Sequence, residues 1–367
     1  MDRGQTFLGI ETSCDETAAA VVRREADGRG AILANVVRAQ WQEHKAFGGV
    51  VPELAARAHV LCLDEIIETA LAKAGLQFDR LDGIAVTAGP GLIGGLMVGV
   101  TTAEAVGLAT GLRVVGINHL EGHALTAGLT DGVAPPYLLL LVSGGHSQLV
   151  AVHGVGHYER LGSTIDDALG EAFDKTAKLL GLGQPGGPRV EATAKSGDAL
   201  RFSLPRPMAG RAEPHFSFAG LKTAVRVTAQ KLMVAQGGTL SEVDLADLCA
   251  SFELAVAESV IDRVRCAVRL LNERGQGAVA STLVVAGGVA ANQRLRRALE
   301  GHAQETGTRF VAPPIALCGD NGAMIAWAAM ERIAQGLETI PPRPRARWPL
   351  DETASAVLGH GRLGMKA

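Results

Sequence analysis

Short apolar runs alternate along the chain with longer stretches in which apolar residues recur every three or four positions, the pattern of a mixed α/β protein. FLGIET (7–12), GIAVTAG (83–89), LRVVGIN (112–118), YLLLLVS (137–143), SQLVAVHG (147–154), TLVVAGG (282–288) and TRFVAP (308–313) read as strands. Each is bounded by Gly, Pro, Ser or Asp, the residues that punctuate strands. The clearest helix is predicted over 242–272, where Leu245, Leu248, Phe252, Val256, Val260, Val264, Val268 and Leu271 form one continuous apolar stripe suited to a core.

Two arrangements occur once in each half. GIETSCDETAAAVV (9–22) and LLLLVSGGHSQLVAV (138–152) both set a small polar turn between two apolar runs, so each tip offers backbone N–H groups and short side chains to a ligand. GIAVTAGPGLIGGLMVGVTTAEAVGLA (83–109) and TLVVAGGVAANQRLRRALE (282–300) both read as a strand, a glycine-rich turn and a helix, a junction suited to anions. The repetition predicts two duplicated lobes facing one cleft. The motif G-x-x-x-x-G-K-[ST] is absent, as is G-x-G-x-x-G followed by an acidic residue ~20 positions on, so P-loop and dinucleotide folds are disfavoured. Paired hairpins cradling phosphate point instead to the nucleotide fold of actin, sugar kinases and heat-shock chaperones. VAPP (133–136) marks the start of the second lobe, because consecutive prolines break helix and strand alike. The expected organisation is a first lobe over 1–134, a second over 135–310, a segment over 311–340 returning to the cleft and first lobe, and a poorly ordered Pro- and Arg-rich tail over 341–367.

Composition narrows the class. With 47% hydrophobic and 20% charged residues among 367, the chain is no disordered polymer, and no run approaches the ~20 unbroken apolar residues of a membrane span. The 46 glycines, about an eighth of the chain, imply many tight turns or close backbone approaches. A net charge of −3 gives no global signal for nucleic acid. Locally, residues 189–231 carry eight Lys or Arg against three acidic residues and are the expected docking place for an acidic polymer. Five scattered cysteines without C-x-x-C exclude a disulfide framework or zinc ribbon, and with no signal peptide the expected location is the cytoplasm.

His119 and His123, four apart in NHLEGHALTAG, share one face of a helix and suit a metal. Glu121 points roughly the other way, so this H-x-E-x-H is not the H-E-x-x-H of a zinc protease. Asp320 in LCGDNGAM is the candidate third ligand; its competing role is a helix N-cap. Two histidines and a carboxylate suit Fe(II) or Zn(II). SGGHS (143–147) and PGGP (185–188) expose backbone beside polar side chains.

These blocks, with GGVVPELAARAH, EAFDKTAKLLGL, FSFAGLKTAV, GGVAANQRLR and CGDNGAM, resemble the bacterial TsaD family, tRNA adenosine threonylcarbamoyltransferases formerly described as O-sialoglycoprotein endopeptidases. The likeness runs over residues 7–335, with small departures such as HSQLV and CGDNGAM. It implies a two-lobed actin-like ATPase (ASKHA) fold and transfer of threonylcarbamoyl from threonylcarbamoyl-AMP to N6 of the adenosine 3′ of the anticodon, in tRNAs reading codons that begin with A. It implies metal ligands at His119, His123 and Asp320, with one divalent ion per subunit, Fe(II) as first expectation and Zn(II) as the alternative. Contacts to substrate or an ATP- or adenylate-type ligand fall on Val142, Ser143, Gly144, Gly145, His146, Asp174, Gly187, Glu191 and Asn292. Glu11 and Asp15 are expected to face the cleft, either of them helping proton transfer. TsaB and TsaE are the implied protein partners, with no membrane. The rival readings are a metal-dependent glycoprotein endopeptidase, an actin-like kinase, and a non-catalytic nucleotide-binding scaffold.

Overall fold

The strand pairings repeat. The computed structural model describes residues 4–44, 47 and 49–355. In the first sheet β1 (Gln5–Glu11) pairs antiparallel with β2 (Glu16–Arg24), which pairs antiparallel with β3 (Gly30–Ala39). On its other side β1 is parallel to β4 (Gly83–Gly89), and β4 to β5 (Val114–Asn118). The second sheet repeats this order with β6 (Tyr137–Val142), β7 (Ser147–Gly154), β8 (His157–Ser163), β9 (Thr282–Ala286) and β10 (Arg309–Val311). Both sheets therefore run 3-2-1-4-5 in their own strand numbers, which is the duplication expected from the sequence motifs.

The helices are α1 (Trp41–His44), α2 (Pro52–Ala74), α3 (Ile93–Thr110), α4 (His119–Asp131), α5 (Leu169–Leu179), α6 (Gly186–Ala194), α7 (Ala219–Ala235), α8 (Glu242–Glu273), α9 (Gly277–Ala280), α10 (Gln293–Thr306) and α11 (Gly322–Ala334). On α8 the predicted stripe is the spine of the second core: Leu248, Phe252, Val256, Val260, Val264 and Leu271 are buried, with Leu245 and Val268 packed at its margin. Each such side chain contributes about 1.5–3 kcal/mol by leaving water. Among the described residues α3 alone is long and apolar enough to cross a membrane by length and composition. Here it buries Gly95, Leu96, Gly99, Val100 and Ala103 while packing on β4 and α2.

The first lobe borrows a helix from far down the chain. Met324, Ile325 and Trp327 of α11 join Phe7, Val22 and Ile117 in one buried cluster. The approach is at backbone distance, since a Cβ on Gly9 would stand 2.0 Å from the Gly322 carbonyl oxygen, and one on Gly322 would stand 2.5 Å from the Ala20 nitrogen. No larger residue fits at either position.

Two expectations are corrected. PGGP, whose glycines between two prolines read as a rigid loop, forms instead the first turn of α6, with Pro185 as its N-cap. The stretch 341–355, expected to be poorly ordered, is held to the body: Arg345 N–H donates to the Ala88 carbonyl at 2.7 Å, and Trp348 is buried beside Leu8, Val86 and Ala88. Apolar anchors within a Pro-rich segment outweighed its composition. The rest of the expected tail, 356–367, lies outside the described residues.

Candidate metal centre and cleft

The metal-ligand candidates are brought together by two helix starts. Asn118 ends β5 and caps α4 by accepting from Leu120 N–H at 2.9 Å, so His119 and His123 lie one turn apart on the first turns of the helix. Their rings meet edge to face with centroids 4.8 Å apart. On the opposite side Asn321, not Asp320, caps α11 through Met324 N–H at 3.0 Å. Asp320 is thereby released from the cap role and points at both imidazoles: its Oδ1 lies 3.0 Å from His123 Nε2 and 3.5 Å from His119 Nε2. One ligand atom from each of the three residues lies within 4.8 Å of the others.

Glu11 stands behind this group. It is fully buried at the end of β1, accepts from Ser13 N–H at 2.5 Å and from the Thr87 hydroxyl at 2.5 Å, and lies 2.9 Å from His119 Nδ1. An ionised carboxylate only accepts, so the Nδ1 proton sits on the Glu11 side and Nε2 faces Asp320. Burial disfavours the His119 imidazolium, but the Asp320 and Glu11 charges outweigh that and push its pKa up to about 9. Burial likewise opposes ionisation of Asp320, and the His119 and His123 charges overcome it, holding the carboxyl far below its usual range. Glu11 therefore spends its oxygens on orientation and not on an open cleft, which corrects its expected place as a cleft-facing base.

Glu121 points away, as its i+2 spacing requires: it accepts from Tyr158 at 2.9 Å and pairs with Arg332 at 3.0 Å. Glu121 therefore does not occupy the place of the H-E-x-x-H glutamate beside the histidines.

Next to this group lies a cleft of about 390 Å³ between the lobes, lined by Asp15, Glu16, Trp41 and His44 from the first and by Gly144, Phe173, Asp174, Gly187, Glu191, Gly288 and Asn292 from the second. Of the expected substrate contacts, Gly144, Asp174, Gly187, Glu191 and Asn292 thus share one wall. Ser143 and His146 close the β6–β7 turn, where Ser143 N–H donates to the His146 carbonyl at 2.8 Å, and the His146 charge acts on Asp320. Gly145 is exposed at the same tip, whereas Val142 is wholly buried below it. Several of these side chains also shape the wall. Asp174 accepts from Gly186 N–H at 2.9 Å, Glu191 from Gln293 N–H at 3.1 Å, and Asn292 caps α10 while donating to Glu253 at 2.6 Å.

Sequence reasoning passed over Glu16, His44 and His59. Burial, with the nearby Asp320 and Asp15 charges, raises the Glu16 carboxyl well above its ordinary range. Its signal was adjacency to Asp15 in CDET. His59, buried in α2, lies 3.1 Å from the Cys14 carbonyl and 2.7 Å from Thr17 Oγ1, and so pins the loop that carries Asp15. The basic stretch is partly neutralised internally: Arg201 pairs with Asp244 and Asp247, Arg206 with Glu258, and Lys222 with Asp167. Its formal excess therefore overstates the positive surface left for an acidic polymer.

A model of the family described as TsaD, tRNA N6-adenosine threonylcarbamoyltransferase, matches residues 31–327. The chain belongs to this family. A tRNA N6-adenosine threonylcarbamoyltransferase of Rhizobium meliloti (strain 1021) is 58% identical over 98% of this chain and 99% of its own length. One of Chelativorans sp. (strain BNC1) is 60% identical over the same shares. Like them, the chain is an acyltransferase acting on adenosine N6 of tRNA. Its fold is similar to that of HypF from T. kodakarensis, with a TM-score of 0.55 at 15% identity over 91% of this chain and 48% of that one. The architecture is the two-lobed actin-like ATPase fold expected from the repeated hairpins.

Proposed function

We propose that the cleft holds threonylcarbamoyl-AMP, its adenylate part against Gly144, Gly187 and Gly288, with its acyl carbon toward His119, His123 and Asp320. There N6 of the adenosine 3′ of the anticodon, in tRNAs reading codons that begin with A, attacks the carbonyl carbon. The new C–N bond forms, the C–O bond to phosphate breaks, AMP leaves and one N6 proton passes to Asp15. The observation that supports this reading is the convergence of two imidazoles from α4 and one carboxylate from the start of α11, close enough to the glycine-walled cleft for the Asp320 charge to act on Glu16 in its lining.

That donor set, with Glu11 fixing the first imidazole, fits a divalent Fe(II) or Zn(II) ion. Such an ion supplies Lewis acidity and orients the acyl group when bound. The chain's own residues do the rest: exposed glycine backbone holds the phosphate side, Asn292 and Glu191 fix the helix start beside it, and Asp15 takes the proton. TsaB and TsaE are the partners in this reading. Val60 and Leu61 of α2 and Met97 and Leu108 of α3 are exposed, an apolar surface suited to TsaB. The cytoplasm, where tRNA is modified, is the corresponding location.

The test is nucleoside mass spectrometry of tRNA incubated with this protein, its partners and threonylcarbamoyl-AMP, before and after chelation. Threonylcarbamoyladenosine should form and depend on restored metal. Full activity in the metal-stripped protein would remove the metal from the mechanism, and unmodified tRNA under every condition would overturn the reading.

A further inference from the structure

We infer that residues 340–355 form a positioning strap that seats the metal-bearing start of α4, with Trp348 and Asn118 as its working contact. The path supports this. Gly116 N–H of β5 donates to the Ile340 carbonyl at 2.8 Å; Arg345 N–H then reaches the end of β4 at Ala88, and Gly91 N–H returns to the Ala346 carbonyl at 3.3 Å. Next the Asn118 side-chain amide donates to the Trp348 carbonyl at 3.0 Å, and finally Arg160 N–H of β8 donates to Asp351 at 2.8 Å. The segment thus begins on the first lobe, touches the cap of α4 and ends on the second lobe.

The body is shaped to receive it. A Cβ on Gly89 would stand 2.1 Å from the Arg345 carbonyl oxygen, and one on Gly116 would stand 2.9 Å from Pro342 Cα. The segment is stiffened as well as anchored. Pro341, Pro342, Pro344 and Pro349 fix their own φ angles. The Arg345 guanidinium covers the Trp348 ring at 4.5 Å, Trp348 Nε1–H donates to Glu352 at 2.9 Å, and Asp351 collects the Thr353 and Ala354 N–H groups.

Asn118 is the point at which the strap acts on the site. Its carbonyl oxygen caps α4 while its NH₂ holds the strap, and His119, the next residue, depends on that cap for its direction. An Asp here would cap equally well but has nothing to donate. Among the described residues no member of the strap lines the cleft or belongs to the candidate ligand set, so Trp348 and Asn118 are positioning residues.

This inference rests on the metal reading for one of its measurements and is independent of it for the other. Full-length Asn118→Asp and Trp348→Ala are compared with the parent chain by hydrogen exchange of the metal-free proteins over residues 120–125, and by Co(II) titration with the visible spectrum recorded. Faster exchange confined to α4, with roughly tenfold weaker Co(II) binding and an altered spectrum, is the expected result, of the size seen when supports of metal ligands are removed. If Trp348→Ala does not fold, Asn118→Asp, which keeps the cap, carries the test. Unchanged exchange and unchanged Co(II) binding in Asn118→Asp would overturn the strap. A parent chain that binds no Co(II) would instead count against the metal reading, and the exchange data would still decide the strap.

Discussion

Both lobes bring a hairpin tip and a glycine-rich helix start toward the cleft, and they differ in how many of the glycines there are left uncovered by protein. In the first lobe the glycines make room for protein. A Cβ on Gly91 would stand 2.6 Å from the Ser13 carbonyl oxygen, one on Gly95 2.3 Å from that of Thr12, and one on Gly99 2.2 Å from the Thr12 hydroxyl. Leu92 N–H donates to Ser13, and the Thr12 hydroxyl donates to Gly95. This tip is clamped onto α3, and its rigidity passes through Glu11 to His119. In the second lobe Gly287 is packed in the same way, a Cβ there standing 2.4 Å from the Val142 carbonyl oxygen, but a Cβ on Gly144, Gly145, Gly187 or Gly288 would meet no protein atom within 4 Å. One duplicated framework has thus given a closed tip that holds a metal support still and an open tip that leaves backbone for a ligand.

The contrast can be broken most completely at its output. His119→Ala combined with His123→Ala should abolish threonylcarbamoyladenosine formation while circular dichroism stays native; retained activity would detach the closed tip from chemistry. Next comes the link itself. Glu11→Gln keeps the shape but weakens the hold on His119, and metal affinity should fall about 10–100-fold by competition with a chromogenic chelator. Third, the same small substitution should act oppositely on the two tips. Gly95→Ala should cost about 1–3 kcal/mol in urea unfolding through overpacking, whereas Gly145→Ala should leave stability near the parent value. Equal losses at both positions would erase the distinction. The smallest effect is a slope with pH. In the metal-free protein His119 titrates near 9 against an ordinary 6.5. Its contribution to stability is therefore complete below 6.5 and fades as pH climbs toward 9. Chelated protein should weaken in urea over that window, and Asp320→Asn, which removes the larger attraction, should flatten the trend.

Much of this was legible in the residues, and the gaps have physical causes. The buried strands announced themselves as apolar runs, and β4 and β7 begin and end where expected. The strands β3 and β8 did not, because each is a sheet edge with much of its length half-exposed, so GAILANVVRA and HYERLGS carry a diluted pattern. The i,i+4 histidines and the outward turn of Glu121 follow from helix geometry alone. That Asn321 would take the cap and free Asp320 did not follow, since either side chain can fill that position. Nor could sequence separate the glycines of GPGLIGG from those of SGGH: both lack Cβ, and only the packed partner shows which space is already filled.

The contact between Gly9 and Gly322 has a consequence for how the molecule comes into being. All five strands of the first sheet have been synthesised by residue 118, yet the helix that fills one face of that sheet starts at residue 322. The N-terminal half leaves the ribosome with an open apolar face and with His119 and His123 still lacking the Asp320 carboxylate. Synthesis of 197 residues separates His123 from Asp320, so a polypeptide interrupted in that interval carries no completed His119–His123–Asp320 cluster.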